Sequence, residues 1–517
     1  MASVSVNTGV ILDMQRKLYG WSRANAHKVF TDLFNLVCDR GNLHLAWNQL
    51  SKNQGSRTPG VDGLTRRKVE ERPGGVAAYL EAIREQLRAG TYTPQPVRQR
   101  LIPKPGKPGK FRPLGIPTLT DRLVQMALKN VLEPIFEADF YPTSYGFRRG
   151  RSTLDALATV QQWLRPTSAG ASNVTHVIEG DIKGCFDNID HHLLLERIRK
   201  RVQDRKVMRL IRSFLKAGIM AEGALRHPVA GTPQGGVLSP LLANIALTAL
   251  DERYRRWTPV PGEPWDNACA RRVKDRRRGR PLFSLVRYAD DFVILVSGTR
   301  EETEEEKERL ATFLREDLHM ELSSEKTLVT RAEDGFEFLG YRVVKEPAQL
   351  TGRLVGKLYI PKGKLQLLRD RLKRFTDRST TGQSLESLLQ SLNPLIAGWR
   401  NYYRYATGAY KAFARLDRWM WNRICLWLKK KYRTRSAHHI DRQFRRRISP
   451  TRSTWGEGEA RLDLFTRGGT ARYRFRGSRI SNGWNDEWDG VRFYREVARN
   501  LSGFTWVGEL LLKDPQA

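Results

Sequence analysis

Cysteine is scarce in this chain. Only four occur among 517 residues, at Cys38, Cys185, Cys269 and Cys425. They lie far apart, so no Cys-x-x-Cys pair is available to bind zinc. Isolated cysteines of this kind are typical of free thiols in a reducing compartment. The spacing therefore predicts a cytoplasmic protein without a disulfide framework.

Long hydrophobic runs are also lacking. The longest aliphatic stretch near the middle of the chain is residues 292–296. A membrane helix needs about 20 such residues, so this run predicts a buried strand instead. Residues 1–6 show no basic segment before an apolar run, which a secretory signal would require. We therefore expect no membrane partner.

Acidic residues are too few to balance the basic ones. The chain has 90 Lys and Arg against 55 Asp and Glu, a net charge of +35 and a pI near 10.4. A field of this sign attracts polyanions, and each phosphate neutralised releases counterions. Nucleic acid is the predicted partner. Ribosomal and membrane-surface proteins share the property, so charge alone does not identify an activity.

Hydrophobic patterning locates the main elements. Residues 119–139 have the spacing of a helix, and residues 174–182 have the β-branched alternation of a strand. Residues 285–296 predict two strands around a tight turn. The basic run 271–280 predicts an exposed insertion, either a plain loop or a phosphate contact.

The C-terminal third is rich in cations and aromatics. Residues 395–450 hold 15 Lys or Arg against two acids, a local charge of +13. Eleven aromatic side chains are interleaved with them, many at helical spacing. The pattern predicts a helical module with one apolar face and one basic face, suited to an RNA or hybrid duplex.

Two acidic segments are candidates for catalysis. Asp181 ends an apolar strand, and Asp290-Asp291 lie between two apolar strands, where acids are costly unless paired or metal-bound. Nucleotidyl transfer uses two divalent ions about 4 Å apart, and Mg²⁺ prefers such carboxylate oxygens. Alone, the Asp290-Asp291 pair is more typical of a hairpin turn than of a catalytic site.

Tyr288-Ala289-Asp290-Asp291 resembles the signature of reverse transcriptases, in particular those encoded by bacterial group II introns. Further segments resemble the motifs of that family in the same order, over about residues 10 to 440: 112–117, 143–152, 180–187, 231–244, 338–341 and 399–403. The resemblance implies an RNA-directed DNA polymerase in the bacterial cytoplasm. It also implies a maturase role in intron splicing and retrohoming.

The resemblance also implies a set of site residues. Two Mg²⁺ ions, for which Mn²⁺ can substitute, are assigned to Asp181, Asp290, Asp291 and the backbone carbonyl of Ile182. The nucleotide-binding residues are Lys104, Lys110, Arg112, Phe186, Gln234 and Gly235. Phe186 stands where the family places a ring that excludes the 2′-hydroxyl, with a plain core position as the alternative. Lys326 is either a proton donor near the leaving group or a surface lysine.

Residues of the second half are assigned to nucleic acid. The resemblance places a primer grip at Phe338, Leu339 and Gly340, and RNA contacts at Arg400, Tyr403 and Arg404. The implied partners are an RNA template, intron RNA, a DNA primer or target and deoxynucleoside triphosphates. A homodimer is left open.

The predicted fold class is α+β, a right-hand polymerase with fingers, palm, helical thumb and a basic C-terminal appendage. Its predicted domains are an N-terminal extension with the start of the fingers (1–95), fingers and palm (96–350), thumb or maturase domain (355–440) and a short basic DNA-binding-like tail (441–517). No zinc nuclease domain is predicted, since no cysteine follows Cys425. Three alternatives remain: a splicing-only maturase, a domesticated enzyme of phage defence or DNA repair, and an RNA-dependent RNA polymerase.

Overall fold

Two parts of the chain fold as separate compact units. Among the described residues, the first unit contains those up to Arg331 and those from Arg476 onward, and the second contains those of Ala332–Phe475. The computed structural model describes residues 8–103, 109, 111–166, 173–221, 224–226, 231, 235–433, 436–450 and 452–484. The domain limits inferred from the sequence stay a prediction.

Helices and strands alternate along the chain. The helices are α1 (Thr8–Ala24), α2 (Phe34–Val37), α3 (Arg40–Ser51), α4 (Arg66–Glu70), α5 (Gly75–Ala89), α6 (Leu119–Glu137), α7 (Thr153–Trp163), α8 (His191–Arg199), α9 (Arg205–Lys216), α10 (Ser239–Arg253), α11 (Trp265–Arg277), α12 (Arg300–Leu318), α13 (Lys362–Phe375), α14 (Leu385–Tyr403), α15 (Ala409–Lys431) and α16 (Ala437–Phe444). The strands are β1 (Val97–Pro103), β2 (Phe111–Ile116), β3 (His176–Asp181), β4 (Ile219–Ala221), β5 (Ala224–Arg226), β6 (Leu282–Tyr288), β7 (Asp291–Ser297), β8 (Leu328–Arg331), β9 (Phe336–Phe338), β10 (Tyr341–Pro347), β11 (Leu354–Tyr359), β12 (Arg445–Ser449), β13 (Arg452–Glu457) and β14 (Ala460–Arg461). The predicted α+β class is confirmed.

Helix α6 lies in the core of the first unit. The Thr118 hydroxyl caps it by accepting a hydrogen bond from the Asp121 N–H. Apolar residues surround the helix on most sides, so nearly all of it is buried. Side chains of α1 bond to its backbone: Gln15 and Ser22 donate to the carbonyls of Asn130 and Ile135. The predicted helix over 119–139 is confirmed.

An antiparallel central sheet, in the order β6-β7-β3-β8, forms the other half of this core. The interior residues of β6 and β7 are all buried, because helices α7, α11 and α12 contact the sheet as well. The strand over 174–182 and the two strands over 285–296 are confirmed. A second sheet, in the order β2-β1-β4-β5, carries Arg112 on its edge strand.

The basic run 271–280 is mostly the end of helix α11. The prediction of an exposed insertion is wrong for residues 271, 272 and 275, whereas residues 276–280 are exposed. Arg272 is buried with its guanidinium 5.2 Å from the centre of the Trp163 ring. Arg271 pairs with Glu263, and the buried Asp275 pairs with Arg256 at 2.6 Å. Three charged side chains of this run therefore form stabilising contacts with neighbouring residues of the protein.

The second unit joins a sheet in the order β11-β10-β9 to helices α13–α16. A small sheet of β12, β13 and β14 follows, and it contacts α14 and α15. The Trp455 ring is fully buried 4.3 Å from the Trp421 ring, and its Nε1 donates to the Trp421 carbonyl. Across the described residues of both units, no helix combines the length and apolar character needed to traverse a bilayer.

Candidate active site

Strand pairing brings the predicted catalytic aspartates to one end of the central sheet. Asp181, the last residue of β3, is the direct antiparallel partner of Asp291, the first residue of β7. Residues opposite each other in such a pair have Cβ atoms about 5 Å apart on the same face. Asp290 precedes Asp291 in the turn between β6 and β7. Strand register alone therefore brings together Asp181 and Asp291, which are more than 100 residues apart in the sequence.

The turn that carries Asp290 has a strained backbone. Ala289 adopts φ +59°, a left-handed conformation that costs a non-glycine residue about 1 kcal/mol or more. Gly146 lies directly beneath it: a Cβ at Gly146 would come within 2.3 Å of the Ala289 nitrogen. The side-chain amide of Asn244 donates to the Gly146 carbonyl at 2.8 Å. Surrounding contacts therefore fix the position of the turn.

Arg287 supports the same turn, a role that was not predicted from the sequence. Its fully buried guanidinium donates to both carboxylate oxygens of Asp251, to the Asn244 side-chain oxygen at 3.0 Å and to the Ala289 carbonyl at 3.1 Å. The available signal was a lone arginine in an otherwise apolar strand. A buried charge needs a partner, and this one connects α10 to the catalytic turn.

Charge is poorly compensated at the aspartates. Burial, together with the neighbouring Asp290 and Asp181, raises the pKa of Asp291 to about 7 against the opposing attraction of Lys326. Burial also raises the pKa of Asp290, against the opposing attraction of Arg112 and Lys326. Carboxylates that repel one another in a shared site favour either a bound proton or a bound cation. The electrostatics thus suit a cation site.

Lys326 is the charged neighbour of this group. Its Nζ donates to Asp181 Oδ2 at 2.7 Å, and the turn that carries it is joined to the strand by the bond from Ser323 N–H to the Asp181 carbonyl. Lys326 is exposed, as a surface lysine would be, and lies beside Asp181; its role as a proton donor stays a prediction. In the described parts of the chain, no three His, Cys, Asp or Glu side chains already converge as a ligand set. The donor chemistry nevertheless fits a hard cation, since three carboxylates lie at one end of the central sheet.

Comparison with known proteins agrees with this geometry. Residues 102–343 match the family model described as reverse transcriptase (RNA-dependent DNA polymerase). Residues 365–446 match the model described as group II intron, maturase-specific domain. The protein YkfC of Escherichia coli K12 is 38% identical over 352 residues, which are 65% of this chain and 89% of YkfC.

Two intron proteins are also similar. The group II intron-encoded protein LtrA of Lactococcus lactis is 36% identical over 366 residues, 62% of this chain and 58% of LtrA. A putative COX1/OXI3 intron 1 protein of Saccharomyces cerevisiae is 29% identical over 377 residues, 67% of this chain and 43% of that protein. The chain thus spans about half the length of these two relatives.

The chain belongs to the group II intron reverse transcriptase/maturase family. Its polymerase domain contains the central sheet and is consistent with a right-hand polymerase fold. The maturase-specific domain contains helices α13 to α16.

The nucleotide-binding predictions for this reverse transcriptase fall on both described and undescribed residues. Lys104, Lys110 and Gln234 lie outside the described residues. Arg112 is exposed on β2, and its charge reaches Asp290. Gly235 has φ +114°, and a Cβ there would lie 2.3 Å from the Gly115 carbonyl. Its lack of a side chain therefore permits close packing against β2, while its contact with nucleotide stays a prediction.

Phe186 is partly buried at the edge of the core in a 3-10 turn, Cys185–Asp187, five residues after Asp181. The Phe147 ring lies edge-on to it, with centroids 6.3 Å apart. Phe147 is half-exposed and has φ +57°, which is unusual for an aromatic residue. Ile182 continues the strand beyond Asp181 through a bridge to Leu322. The roles of Phe186 and of the Ile182 carbonyl stay predictions.

Within the second unit, the predicted primer grip is a strained turn held by tyrosines. Leu339 and Gly340 have φ +48° and +73°. The Tyr402 hydroxyl donates to the Leu339 carbonyl, and the Tyr403 hydroxyl donates to the Gly340 carbonyl at 3.0 Å. Phe338 is buried beside this turn. The two motifs, separated by about 60 residues in sequence, form one structural cluster.

The predicted RNA contacts have internal uses in this structure. Arg400 donates to Asp463 Oδ2 and to the Leu464 carbonyl, both at 2.7 Å, and Tyr403 is buried. Arg404 donates to the Gly468 carbonyl. RNA contact by these three residues stays a prediction, and for Arg400 the structure supports a different role.

Proposed function

We propose that this protein synthesises DNA on an RNA template by two-metal nucleotidyl transfer, with Asp181, Asp290 and Asp291 as its catalytic carboxylates. The observation that carries the proposal is the register that pairs Asp181 with Asp291 next to the Asp290 turn. Carboxylates presented from two strands at one sheet end are what a pair of hard cations requires.

Bound Mg²⁺ or Mn²⁺ would supply the positive charge that activates the 3′-hydroxyl and stabilises the leaving pyrophosphate. The protein's own part is to hold carboxylates in place and to provide cations nearby. The Lys326 ammonium forms an ion pair with Asp181. It would have to release that carboxylate for a metal ion to bind there. The Ile182 carbonyl follows at the end of the strand as a further neutral oxygen.

Two groups orient the incoming deoxynucleoside triphosphate in this proposal. Arg112 places a guanidinium within electrostatic reach of Asp290, where a triphosphate would meet the catalytic ions. Phe186 lies where the ring would contact the 2′ position of the sugar. Its edge-on contact with Phe147 supports a fixed ring orientation. Lys104, Lys110, Gln234 and Gly235 complete the proposed nucleotide site.

A maturase role is the second part of the proposal. The match over residues 365–446 supports action on group II intron RNA, in splicing and in retrohoming to a DNA target. Residues 338–340 would hold the primer end, and the tail beyond 441 would contact DNA. A bacterial cytoplasmic location and a homodimer remain part of the same proposal.

The test is primer extension on an RNA template, run in parallel with an intron-splicing assay. The full chain should extend a DNA primer with deoxynucleotides and Mg²⁺, and should fail after chelation of the metal. Ribonucleotides should be poor substrates until Phe186→Ala enlarges the sugar site. Absence of extension by the unaltered protein, with splicing intact, would instead favour a splicing-only maturase.

A further inference from the structure

A cavity of about 230 Å³ lies between helices α8 and α9 of the polymerase domain. Its lining residues are His191, His192, Leu195, Arg199, Arg212, Leu215 and Lys216. None of these belongs to the proposed catalytic, nucleotide or primer sites. Five of the seven carry basic groups, and no acid lines the cavity, so its electrostatic character is decided by cations.

The cations of the cavity are not neutralised by neighbours. Within the described residues, no carboxylate forms an ion pair with Arg199, Arg212 or Lys216. Glu196 on α8 contacts His192 at 3.6 Å instead. Asp190, which caps α8, is bonded to His319 and to two backbone N–H groups. The cavity therefore keeps a net positive field.

A row of cations extends the cavity along α9. Its members are exposed and follow each other at intervals of four, three and four residues: Arg205, Arg209, Arg212 and Lys216. This spacing places them on one helix face, over about 16 Å at 1.5 Å per residue. The opposite face is buried in the core through Val207, Ile211 and Phe214.

The acid that begins α9 does not weaken this row. Asp204 is buried, and its carboxylate accepts hydrogen bonds from four backbone N–H groups, those of Leu33, Phe34, Lys206 and Val207. Leu195 and Leu215 give the cavity apolar walls. Clefts with charges of one sign and low-dielectric walls concentrate the field and attract counter-ions.

We propose that this cavity and the cation row on α9 bind the phosphodiester backbone of RNA at a place separate from the catalytic carboxylates. The proposal takes RNA from the proposed function and adds where RNA is held. A row about 16 Å long suits several successive phosphates rather than a single free anion. Such contacts position the RNA without reading its sequence.

The experiment uses the full chain with Arg212→Glu and Lys216→Glu together. Both side chains are exposed, and neither is used in the core or at the catalytic site. His191 is left unchanged, because its Nε2 is bonded to the Gly231 carbonyl at 2.6 Å. The matched control is Arg300→Glu with Arg315→Glu, which changes the net charge equally at exposed positions on the acidic helix α12.

The probe is a fluorescent RNA hairpin without primer, titrated by anisotropy at several KCl concentrations. We expect at least about tenfold weaker binding for the cavity variant than for the control, and a slope of log K against log salt smaller by about two. Arg205→Glu with Arg209→Glu should weaken binding similarly. The neutral pair Arg212→Gln with Lys216→Gln repeats the test if charge reversal impairs folding.

Equal RNA affinity of the cavity and control variants would overturn the proposal. It would also be overturned if the cavity variants kept their RNA affinity and lost only the binding of inorganic phosphate or of anionic lipid vesicles. Primer extension on a short primer–template at saturating concentration should keep its rate, and a lower saturating rate would place the cavity in the catalytic machinery. If the unaltered protein extended no primer, the proposed function would fail while hairpin binding still tested the cavity.

Discussion

The acidic end of the central sheet and the Arg400 region of the second unit treat charge in opposite ways. At the sheet end, three carboxylates lie near the Lys326 ammonium, Arg112 attracts Asp290 from further away, and burial raises the pKa of two of the three. At Arg400, one guanidinium faces the carboxylate of Asp463 and a backbone carbonyl, and both side chains are largely buried. Both positions contain charged residues predicted to be functional.

This difference in charge compensation distinguishes residues that bind a ligand from residues that stabilise the fold. Uncompensated buried charge costs folding free energy, so its presence indicates that a ligand supplies the missing charge. Compensated charge contributes to the folded state and has little left to offer a partner. On this argument the aspartates are available to a ligand, while Arg400 is engaged by its own fold.

The largest expected effect is on DNA synthesis. Asp290→Ala with Asp291→Ala should lower the primer-extension rate by about 10³-fold or more, since several kcal/mol of charge stabilisation in the transition state is lost. Intron splicing should survive, because the maturase-specific domain is untouched. The measurement is single-turnover extension at saturating Mg²⁺, beside a splicing assay.

A matched control is Glu316→Ala with Asp317→Ala, two adjacent exposed acids at the end of α12. It removes the same charge and should leave extension unchanged. DNA synthesis that persisted in the Asp290 and Asp291 double variant would show that the catalytic site lies elsewhere.

Gly146→Ala should have the next largest effect. A Cβ within 2.3 Å of the Ala289 nitrogen must displace the turn that carries Asp290. A misplacement of about 1 Å in a catalytic group can cost about 10²-fold in rate. We expect the saturating extension rate to fall by that order while RNA affinity is retained.

Gly20→Ala provides the comparison, since nothing lies within 4 Å of a Cβ at Gly20 in α1. It should leave extension unchanged and slightly stabilise the helix. A normal rate for Gly146→Ala would mean that the Asp290 turn tolerates displacement, against the fixed position inferred from its contacts.

Local sequence patterns were sufficient to predict the strands that carry the three proposed catalytic aspartates. They were insufficient to predict the residues that hold those strands in place. Apolar alternation and the Asp290-Asp291 turn predicted β3, β6 and β7, because strand formation depends on residues close in sequence. The partner of Arg287 could not be predicted in this way: Asp251 lies 36 residues away, on the buried face of α10. Pairing of this kind is decided only when the helix packs on the sheet.

The same limit applies to the basic residues. In α11, dense charge concealed a helix whose Arg272 is buried against Trp163. The helical position of Arg400 was predictable from spacing, whereas its contact with Asp463, 63 residues later, was not. Charge counts alone do not distinguish a solvated cation from one already paired.

The uncompensated charge at Asp291 should also be visible in stability. Its folded pKa of about 7 lies above the ordinary value of 3.8, so the folded, metal-free protein binds the proton more tightly than the unfolded chain. The ionisation cost is therefore absent below pH 4, grows between pH 4 and pH 7, and is complete above pH 7. Asp291→Asn removes this cost.

We accordingly expect Asp291→Asn to stabilise the metal-free protein by about 2 kcal/mol more at pH 7 than at pH 5. Urea unfolding in a chelator, followed at both pH values, measures the difference. Asp317→Asn, at an exposed position, should show no such dependence. An equal gain at both pH values would contradict the raised pKa of Asp291.

The smallest expected effect is that of a substitution at Arg400. It tests whether an arginine that is paired within the protein still contributes to RNA binding. Arg400→Gln leaves the largely buried Asp463 with the longer pair to Arg467, at 3.4 Å, and should lower the unfolding free energy by about 2 kcal/mol. RNA affinity of the folded protein should not change. Arg415 on α15 is exposed, with no ion pair among the residues described, and Arg415→Gln should behave in the opposite way.

For Arg415→Gln we expect an unchanged melting temperature and a slope of log K against log salt smaller by about one. Thermal melting and RNA anisotropy on the two variants give a two-by-two comparison in which stability and affinity respond to different arginines. If Arg400→Gln weakened RNA binding without lowering the melting temperature, its ion pair with Asp463 would have to open for RNA. In that case an arginine that forms an ion pair in the free protein would also be available to RNA. Ion pairing in the free protein could then not be used to tell structural arginines from RNA-binding ones.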